Sequence, residues 1–450
     1  MYENLHFSKF NTVVQEGDEV AIYNSFSGAL AIFTRDEYDF LSSVADPSVS
    51  FIHQDLDEAS CDIIDRCLID NFIVREGSDE TSILKDRLLQ AKEATSSLTV
   101  TILPTLSCNF ACPYCFEGLD KHSALMPRNV QERFMSWLEQ HSDGLTKLNV
   151  TWFGGEPTLG LPVIESLTSR ILELCRRKKI NYGASIVTNG STMNLDTARF
   201  LSEMKVGYIQ LTLDGPKDIH DRARFFKCDG RGSYDTILDN VRAYQAATPI
   251  RTIFRINVDT NNKGHCFRLI DDLAVRLKGV RDTSVYFAPI HASTEMCEHI
   301  SGFTLEALHY AELETRLIEY SAERGLMGVS LPNMNMGVCA AARKNGMVLS
   351  PNGDIHKCWE TVTMDRYRIG NIMDTDFDLH RRGVSWTGWT PFQEKECFDC
   401  PILPNCMGMC TYRFLFKENY SGNSAKTPCP PLRFNIQDKI RMFIKYHDKK

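Results

Sequence analysis

The sequence predicts an α/β protein built around a partial barrel of parallel strands. A small α+β unit precedes the barrel and a loop-rich segment follows it. Between about residues 98 and 325, apolar runs and helical stretches alternate six times, which is typical of parallel strands joined by crossover helices. Seven of the sixteen cysteines lie after residue 326, which indicates that metal helps to hold that irregular segment together.

Residues 1–76 are predicted to form the small α+β unit, and residues 77–97 a polar, helical linker. Turn-rich residues between two apolar runs predict a hairpin, and Thr34 with Glu37 matches a capping box at a helix start. The expected elements are strands at 20–23 and 29–33, a helix after Thr34, a helix near 60–70 and a strand at 72–74.

The barrel is predicted to span residues 98–325. Its expected strands are 98–103, 147–153, 184–188, 207–213, 252–258 and 284–288, and its clearest helices are 161–177, 195–204, 233–246 and 265–277. In such folds chemistry is carried by the loops that follow the strands. The cysteine-rich loop at 105–118, FGGEP at 153–157, TNG at 188–190 and LTLDGP at 211–216 all fall there.

Composition restricts the protein class. A net charge of −8 with interspersed signs gives no argument for nucleic acid, and no apolar run is long enough to span a membrane. The N-terminus lacks the pattern of a signal peptide, so a cytoplasmic location is expected. A disulfide framework is not expected in that reducing compartment. Six scattered cysteines are expected to act mainly as small apolar residues, namely 61, 67, 175, 228, 266 and 297.

The densest group of thiols is Cys108, Cys112 and Cys115, which follow the first predicted strand. A structural zinc site is closed by four ligands, and no fourth cysteine or histidine lies close in sequence, His122 being the nearest. Clusters are held by thiolates at such spacings, and three thiolates on a cubane leave one iron open. The spacing favours an iron–sulfur cluster, whereas zinc remains an alternative for the cysteines at 397–410.

The pattern C-x3-C-x2-C, with an aromatic residue before the third cysteine, resembles the motif of radical S-adenosylmethionine (SAM) enzymes. GGEP at 154–157 is similar to that family's motif for the methionine amino group. Cys339, Gly353, Cys358, C-x2-C-x5-C-x3-C and Cys429 together resemble the SPASM extension. The resemblance implies a partial (β/α)6 TIM-like radical SAM barrel, with a winged-helix-like N-terminal domain and a SPASM domain at 326–450.

The resemblance also implies a cofactor site. Cys108, Cys112 and Cys115 would hold a [4Fe–4S] cluster whose open iron chelates SAM. The implied SAM contacts are Tyr114 at the adenine, Gly154, Gly155 and Glu156 at the amino group, Thr212, Arg224 at the carboxylate, and Asn189 at the ribose. Packing within the strand is an alternative role for Thr212, and a surface position is an alternative for Arg224.

Two auxiliary [4Fe–4S] clusters follow from the SPASM resemblance. The outer one would be ligated by Cys397, Cys400, Cys406 and Cys429, and the inner one by Cys339, Cys358 and Cys410. Several relatives have a further cysteine between the first two SPASM cysteines, and none lies between 339 and 358 here. The inner cluster is therefore expected to take a non-cysteine ligand or to keep an open iron, which suits a substrate thiolate.

The combined resemblance implies a peptide maturase. In that family a 5′-deoxyadenosyl radical removes a hydrogen atom, with electrons from a low-potential donor such as flavodoxin or ferredoxin. No acid–base residue is required for that step, and none is assigned. The N-terminal domain resembles an element that binds the leader of a precursor peptide, although a structural cap on the barrel is an alternative.

The expected reaction joins a Cys sulfur to a carbon of another residue in a ribosomally made peptide. A carbon–carbon cross-linking maturase, an anaerobic sulfatase maturase and a non-catalytic metal-binding module are the alternatives. Sulfatase maturases usually carry an Asp directly after the second SPASM cysteine, where this chain has Trp359 and then Glu360.

Overall fold

The computed structural model describes residues 2, 4–46, 56–118, 124–335 and 338–447. The N-terminal unit consists of β1 (Leu5–Phe7), β2 (Asn11–Glu16), β3 (Glu19–Asn24), β4 (Leu30–Thr34), α1 (Arg35–Val44), α2 (Glu58–Ile69) and β5 (Ile73–Arg75). Strands β2, β3 and β4 form an antiparallel meander that contains the predicted hairpin, whereas β1 pairs with β5. The predicted capping box is also present, because Glu37 N donates to Thr34 Oγ1 at 3.3 Å and Thr34 N donates to Glu37 Oε2 at 2.7 Å.

The predicted linker contains one helix, α3 (Glu80–Glu93). This helix is an integral part of the packing, since Leu84 and Leu88 are buried in a cluster with Phe10 and Leu403. It therefore joins the N-terminal unit to the cysteine-rich segment near the end of the chain.

All six predicted barrel strands are present, and they pair in parallel in their sequence order. They are β6 (Ser97–Ile102), β7 (Lys147–Trp152), β8 (Asn181–Thr188), β9 (Val206–Leu213), β10 (Arg251–Val258) and β11 (Thr283–Pro289). The helices between and after them are α4 (Arg128–Gln140), α5 (Leu161–Lys178), α6 (Leu195–Glu203), α7 (Lys217–Ala223), α8 (Tyr234–Gln245), α9 (Cys266–Arg276) and α10 (Ala307–Glu323). Apolar side chains of the strands and helices form one large core between them, which is the usual result of parallel α/β layering.

The C-terminal segment is less irregular than its sequence predicts. Its elements are β12 (Gly346–Leu349), β13 (Asp354–His356), β14 (Gly370–Asn371), α11 (Leu379–Arg382), α12 (Val384–Thr387), α13 (Lys395–Phe398), α14 (Leu403–Cys406), α15 (Thr411–Leu415) and α16 (Leu432–His447). Strand β12 pairs in parallel with β6, and β13 and β14 follow it, so the central sheet has nine strands. Strand β12 was not predicted. Its four residues are all buried, so they lack the alternation of apolar and polar residues by which a strand can be recognised in a sequence.

The N-terminal unit packs directly on this C-terminal segment. Tyr23 donates to the carbonyl of Pro332 and accepts a hydrogen bond from Asn405 Nδ2 at 2.9 Å. Val14 and Tyr23 share a buried cluster with Ile436 of α16. Among the described residues, no helix combines the length and apolar character needed to cross a membrane.

Candidate active site

A cavity of about 250 Å³ lies at the carboxyl ends of the parallel strands, where the fold class predicts chemistry. Cys108, Cys112 and Cys115 line it. Six of the seven predicted SAM contacts line the same cavity, namely Tyr114, Gly154, Gly155, Asn189, Thr212 and Arg224. The structure thus brings together residues from five separate segments of the sequence. His122 lies outside the described residues.

The cysteine loop is fixed by main-chain contacts to the segment that follows Arg224. Lys227 N donates to Asn109 O at 2.8 Å, and the Phe110 and Phe226 rings meet edge to face with centroids 5.1 Å apart. Burial raises the pKa of the Cys112 thiol to about 12, with Asp214, Cys108 and Cys115 acting in the same direction and Arg224 against them. The charges of Cys108 and Cys115 thus act on the thiol of Cys112, and a bound metal would deprotonate it.

Gly154 and Gly155 are required by close contact between two loops. A Cβ on Gly154 would lie 2.3 Å from Thr105 O, and a Cβ on Gly155 would lie 2.2 Å from Ser107 O. Gly154 also has a φ of 122°, which favours glycine. The glycines therefore let the loop after β7 pack against the start of the cysteine loop.

Glu156 lies behind the cavity wall and is fully buried. Its carboxylate accepts hydrogen bonds from Thr158 Oγ1 at 2.6 Å, Thr188 Oγ1 at 2.7 Å and Asn189 N at 2.7 Å. Burial raises the pKa of this carboxyl, and the hydrogen bonds oppose that shift. Both carboxylate oxygens accept hydrogen bonds, so the Glu156 side chain connects the loop after β7 to the end of β8. At this place the cavity is lined by Gly155.

Asn189 connects the loop after β8 to the cysteine loop. Its Nδ2 donates to Asn109 Oδ1 at 2.7 Å and lies 3.9 Å from the sulfur of Cys108. Its Oδ1 accepts from the main chain and the hydroxyl of Ser191. These contacts orient Asn189 beside the cysteine triplet.

Tyr114, Asp214 and Arg224 form a buried polar cluster at one side of the cavity. The Tyr114 hydroxyl donates to Asp214 Oδ2 and accepts from Arg224 Nη1 at 2.7 Å. Arg224 is 8% exposed, and its Nε has no hydrogen-bond partner. Burial opposes the guanidinium charge, yet Tyr114, Cys112 and Asp214 together raise the pKa of Arg224 above its usual value. The cluster therefore holds a permanent cation at the cavity, which suits a carboxylate.

For Cys358 and Cys397, the cysteines that act on the thiol pKa belong to the same predicted group. Burial raises the pKa of Cys358, and Glu360, Cys410 and Cys339 add to that shift. Likewise burial raises the pKa of Cys397 to about 12, together with its neighbours Cys406, Cys429 and Cys400. All sixteen cysteines lie in the described ranges, and no disulfide joins any of them. Of the six scattered cysteines, five are buried and Cys228 is exposed.

The donor chemistry of these groups fits iron–sulfur clusters. Within the described ranges, no set of three or more His, Cys, Asp or Glu side chains converges to hold a single metal ion. A cubane of four irons is wider than one ion and takes more widely spaced thiolates. The cysteine triplet and the inner group each supply three sulfur donors, and the outer group supplies four. None of the three predicted sets contains a His or an Asp.

Several cavity residues were not predicted. Gln210, Arg255 and Asn257 project into it from β9 and β10, and Trp359 and Glu360 reach it from the C-terminal segment. Ser293 Oγ donates to Glu360 Oε2 at 2.6 Å, and burial raises the pKa of Glu360. Alternating polar residues in β10 were the available signal for Arg255 and Asn257. No sequence pattern predicts that Trp359 and Glu360 lie at the cavity, because their position depends on the pairing of β12 with β6.

Known proteins resemble the chain in sequence and fold. Residues 102–273 match the radical SAM superfamily. The chain is 25% identical over 346 residues to the cysteine-type anaerobic sulfatase-maturating enzyme of Clostridium novyi, covering 70% of this chain and 88% of that enzyme. Native anSMEcpe with bound AdoMet matches with a TM-score of 0.59 at 22% identity, covering 78% of this chain and 100% of that one. Streptococcus suis SuiB bound to S-adenosylmethionine matches with a TM-score of 0.51 at 16% identity, covering 93% and 99%.

The superfamily match spans the cysteine triplet, Gly154, Gly155 and Arg224, which are among the residues that line the cavity. The two solved structures share the fold. The sequence motif, the cavity at the carboxyl ends of the strands and the superfamily match all lead to one conclusion: residues 102–273 of this enzyme form a radical SAM domain.

Proposed function

We propose that the enzyme is a peptide maturase that installs a thioether between a Cys sulfur and a carbon of another residue in a ribosomally made precursor. The observation that carries this proposal is the inner group of Cys339, Cys358 and Cys410. Its member Cys358 is followed directly by Trp359 and Glu360, which line the cavity. The inner group thus lies beside the place where a substrate would sit.

In this proposal Cys108, Cys112 and Cys115 ligate a [4Fe–4S] cluster, and SAM occupies the adjoining cavity. Together they supply, when bound, a carbon-centred radical that removes a hydrogen atom from the substrate. Arg224 pairs with the SAM carboxylate, and Tyr114 keeps the guanidinium in place. Asn189 and the backbone of Gly155 border the same space.

The inner group supplies three thiolates for an auxiliary [4Fe–4S] cluster, and Cys397, Cys400, Cys406 and Cys429 supply four for the outer one. Three cysteine ligands leave one iron for another donor. A substrate Cys is a suitable one, because soft sulfur ligands bind iron well. This arrangement supports sulfur–carbon bond formation over carbon–carbon bond formation, since it holds the sulfur that reacts.

The N-terminal unit is proposed to bind the leader of the precursor. Strand β4 pairs with β3 on one side, and Ile32 is 41% exposed. An extended peptide could add a strand there, with backbone hydrogen bonds providing affinity. A low-potential protein such as flavodoxin or ferredoxin is proposed as the electron donor.

An anaerobic sulfatase maturase is the second candidate, and the Clostridium novyi relative favours it. Such an enzyme oxidises a Cys or Ser to formylglycine. Against it stands the position after Cys358, where this chain has Trp359 in place of the Asp that these enzymes usually carry.

Co-expression with a short Cys-containing peptide encoded next to the gene, followed by mass spectrometry, tests the proposal. A thioether requires the loss of two hydrogen atoms per link and a Cys that no longer reacts with iodoacetamide. A product that reacts with hydroxylamine as an aldehyde would instead establish formylglycine. Loss of two hydrogens with a Cys that still alkylates would establish a carbon–carbon link.

A further inference from the structure

Three aromatic residues form a continuous stack in the cavity. The rings of Phe116 and Phe153 lie with centroids 6.3 Å apart and planes at 17°. Those of Phe153 and Trp359 lie 5.0 Å apart at 18°. We call Phe116, Phe153 and Trp359 the aromatic wall. Near-parallel planes at these distances are the favourable offset-stacked arrangement of aromatic side chains.

The aromatic wall runs between two of the cysteine groups. Phe116 directly follows Cys115 of the triplet, and Trp359 directly follows Cys358 of the inner group. Phe153 lies between them and packs against buried apolar residues below the cavity. A ligand on this wall would therefore lie between the proposed SAM cluster and the proposed inner cluster.

The last ring of the wall is incompletely covered. Trp359 stacks on Phe153 through one face, yet its side chain remains 40% exposed where it lines the cavity. An exposed aromatic surface inside a cavity is a common contact point for a ligand, because covering it releases water. A further flat ring would continue the stack.

Other cavity residues are suited to a peptide backbone. Gln210, Arg255 and Asn257 are polar and line the same cavity. Arg255 donates from Nε to Asn257 Oδ1 at 2.8 Å and from Nη1 to the Tyr286 hydroxyl at 3.4 Å, which fixes the guanidinium at the cavity wall. The cavity thus combines hydrogen-bonding groups on β9 and β10 with an apolar, planar surface formed by the aromatic wall.

We propose that the aromatic wall binds an aromatic side chain of the substrate peptide at a position flanking the modified Cys, and so positions that Cys between the two cluster sites. This inference rests on the proposed function. Trp359 is a specificity-determining residue in it, since the stacked ring discriminates a planar side chain from a small one.

The test uses the full-length, cluster-loaded enzyme and fluorescently labelled precursor peptides in which each residue flanking the modified Cys is replaced in turn by Ala and by Phe. For wild type, one flanking position should bind Phe about tenfold more tightly than Ala in anisotropy titrations. Trp359→Ala should abolish that preference and raise KM for the Phe peptide with kcat nearly unchanged. Trp359→Phe should retain it. Phe434→Ala removes a partly exposed aromatic residue on α16 and serves as the matched control.

Affinity for SAM should be the same in all four proteins, which separates a loss of peptide binding from a loss of folding. The inference is overturned if no flanking position prefers Phe, or if Trp359→Ala keeps the preference. In both cases wild type still modifies the peptide. Failure of wild type to modify any of the peptides would instead overturn the proposed function itself.

Discussion

Arg224 donates a hydrogen bond of 2.7 Å from Nη1 to the hydroxyl of Tyr114, which in turn donates to Asp214. Tyr114 lies in the cysteine loop, and Arg224 follows α7, more than one hundred residues later. This contact fixes a buried cation next to the cysteine triplet. It links the two parts of the proposed site, the cluster ligands and the SAM carboxylate partner, through one phenol.

Replacing Arg224 with Gln should weaken SAM binding. Removal of a charge-assisted hydrogen bond costs about 1.5–3 kcal/mol, so the Kd for SAM should rise about 10- to 100-fold. Equilibrium dialysis under anaerobic conditions measures this. Arg222→Gln removes an exposed arginine two residues away and should leave the Kd unchanged. Equal SAM affinity in Arg224→Gln and wild type would exclude the carboxylate contact.

Replacing Cys108, Cys112 and Cys115 together with Ala should remove one cluster. The iron content should fall by about four per chain, and 5′-deoxyadenosine production should stop. The other two clusters should remain, because their cysteines belong to separate groups. Cys228→Ala, which removes an exposed and ungrouped thiol, should keep full iron content. Continued deoxyadenosine production by the triple variant would contradict the assignment.

Glu156→Gln should destabilise the protein. The amide nitrogen would replace an oxygen that now accepts from Asn189 N or from the threonine hydroxyls, so one buried donor would lose its acceptor. The free energy of unfolding should fall by about 1–3 kcal/mol, measured by urea denaturation. Glu165→Gln, at an exposed position of α5, is the matched control. A midpoint equal to that of the control would show that these hydrogen bonds contribute little.

Lys92 predicts a particular pH dependence of stability. Its Nζ donates to Trp389 O, and burial lowers the pKa of Lys92 from 10.5 to about 8. Between those pKa values the unfolded chain binds more protons than the folded one, so this group makes stability rise with pH. Below pH 8 Lys92 is protonated in both the folded and the unfolded chain, so the folded state carries the full free-energy cost of burying the charge.

Substituting Lys92 with Met removes that contribution. The difference in unfolding free energy between wild type and Lys92→Met should therefore shift in favour of wild type as the pH is raised from 8 to 10.5. Thermal or urea unfolding at several pH values measures the difference. Lys85→Met, at an exposed position of the same helix, should show no such shift. Parallel pH profiles for wild type and Lys92→Met would refute the prediction.

Much of the candidate site could be predicted from sequence because its residues occur in short motifs on successive strand–helix loops. Parallel strands place those loops at one end of the sheet, so the cysteine triplet, the GGEP loop and Asn189 had to lie near one another. Arg224 and Thr212 were also expected there, and both line the cavity. The role of Glu156 could not be predicted, because its four hydrogen-bond donors come from two segments about 30 residues apart.

By itself the sequence determined the six-stranded parallel core and the hairpin of the N-terminal unit. Local patterns encode those features, since apolar alternation and turn residues are properties of neighbouring residues. Only the tertiary structure decided that β12 pairs with β6, nearly 250 residues earlier in the chain. That pairing is a long-range hydrogen-bonding event with no local pattern. It brings Trp359 and Glu360 to the cavity and completes the aromatic wall.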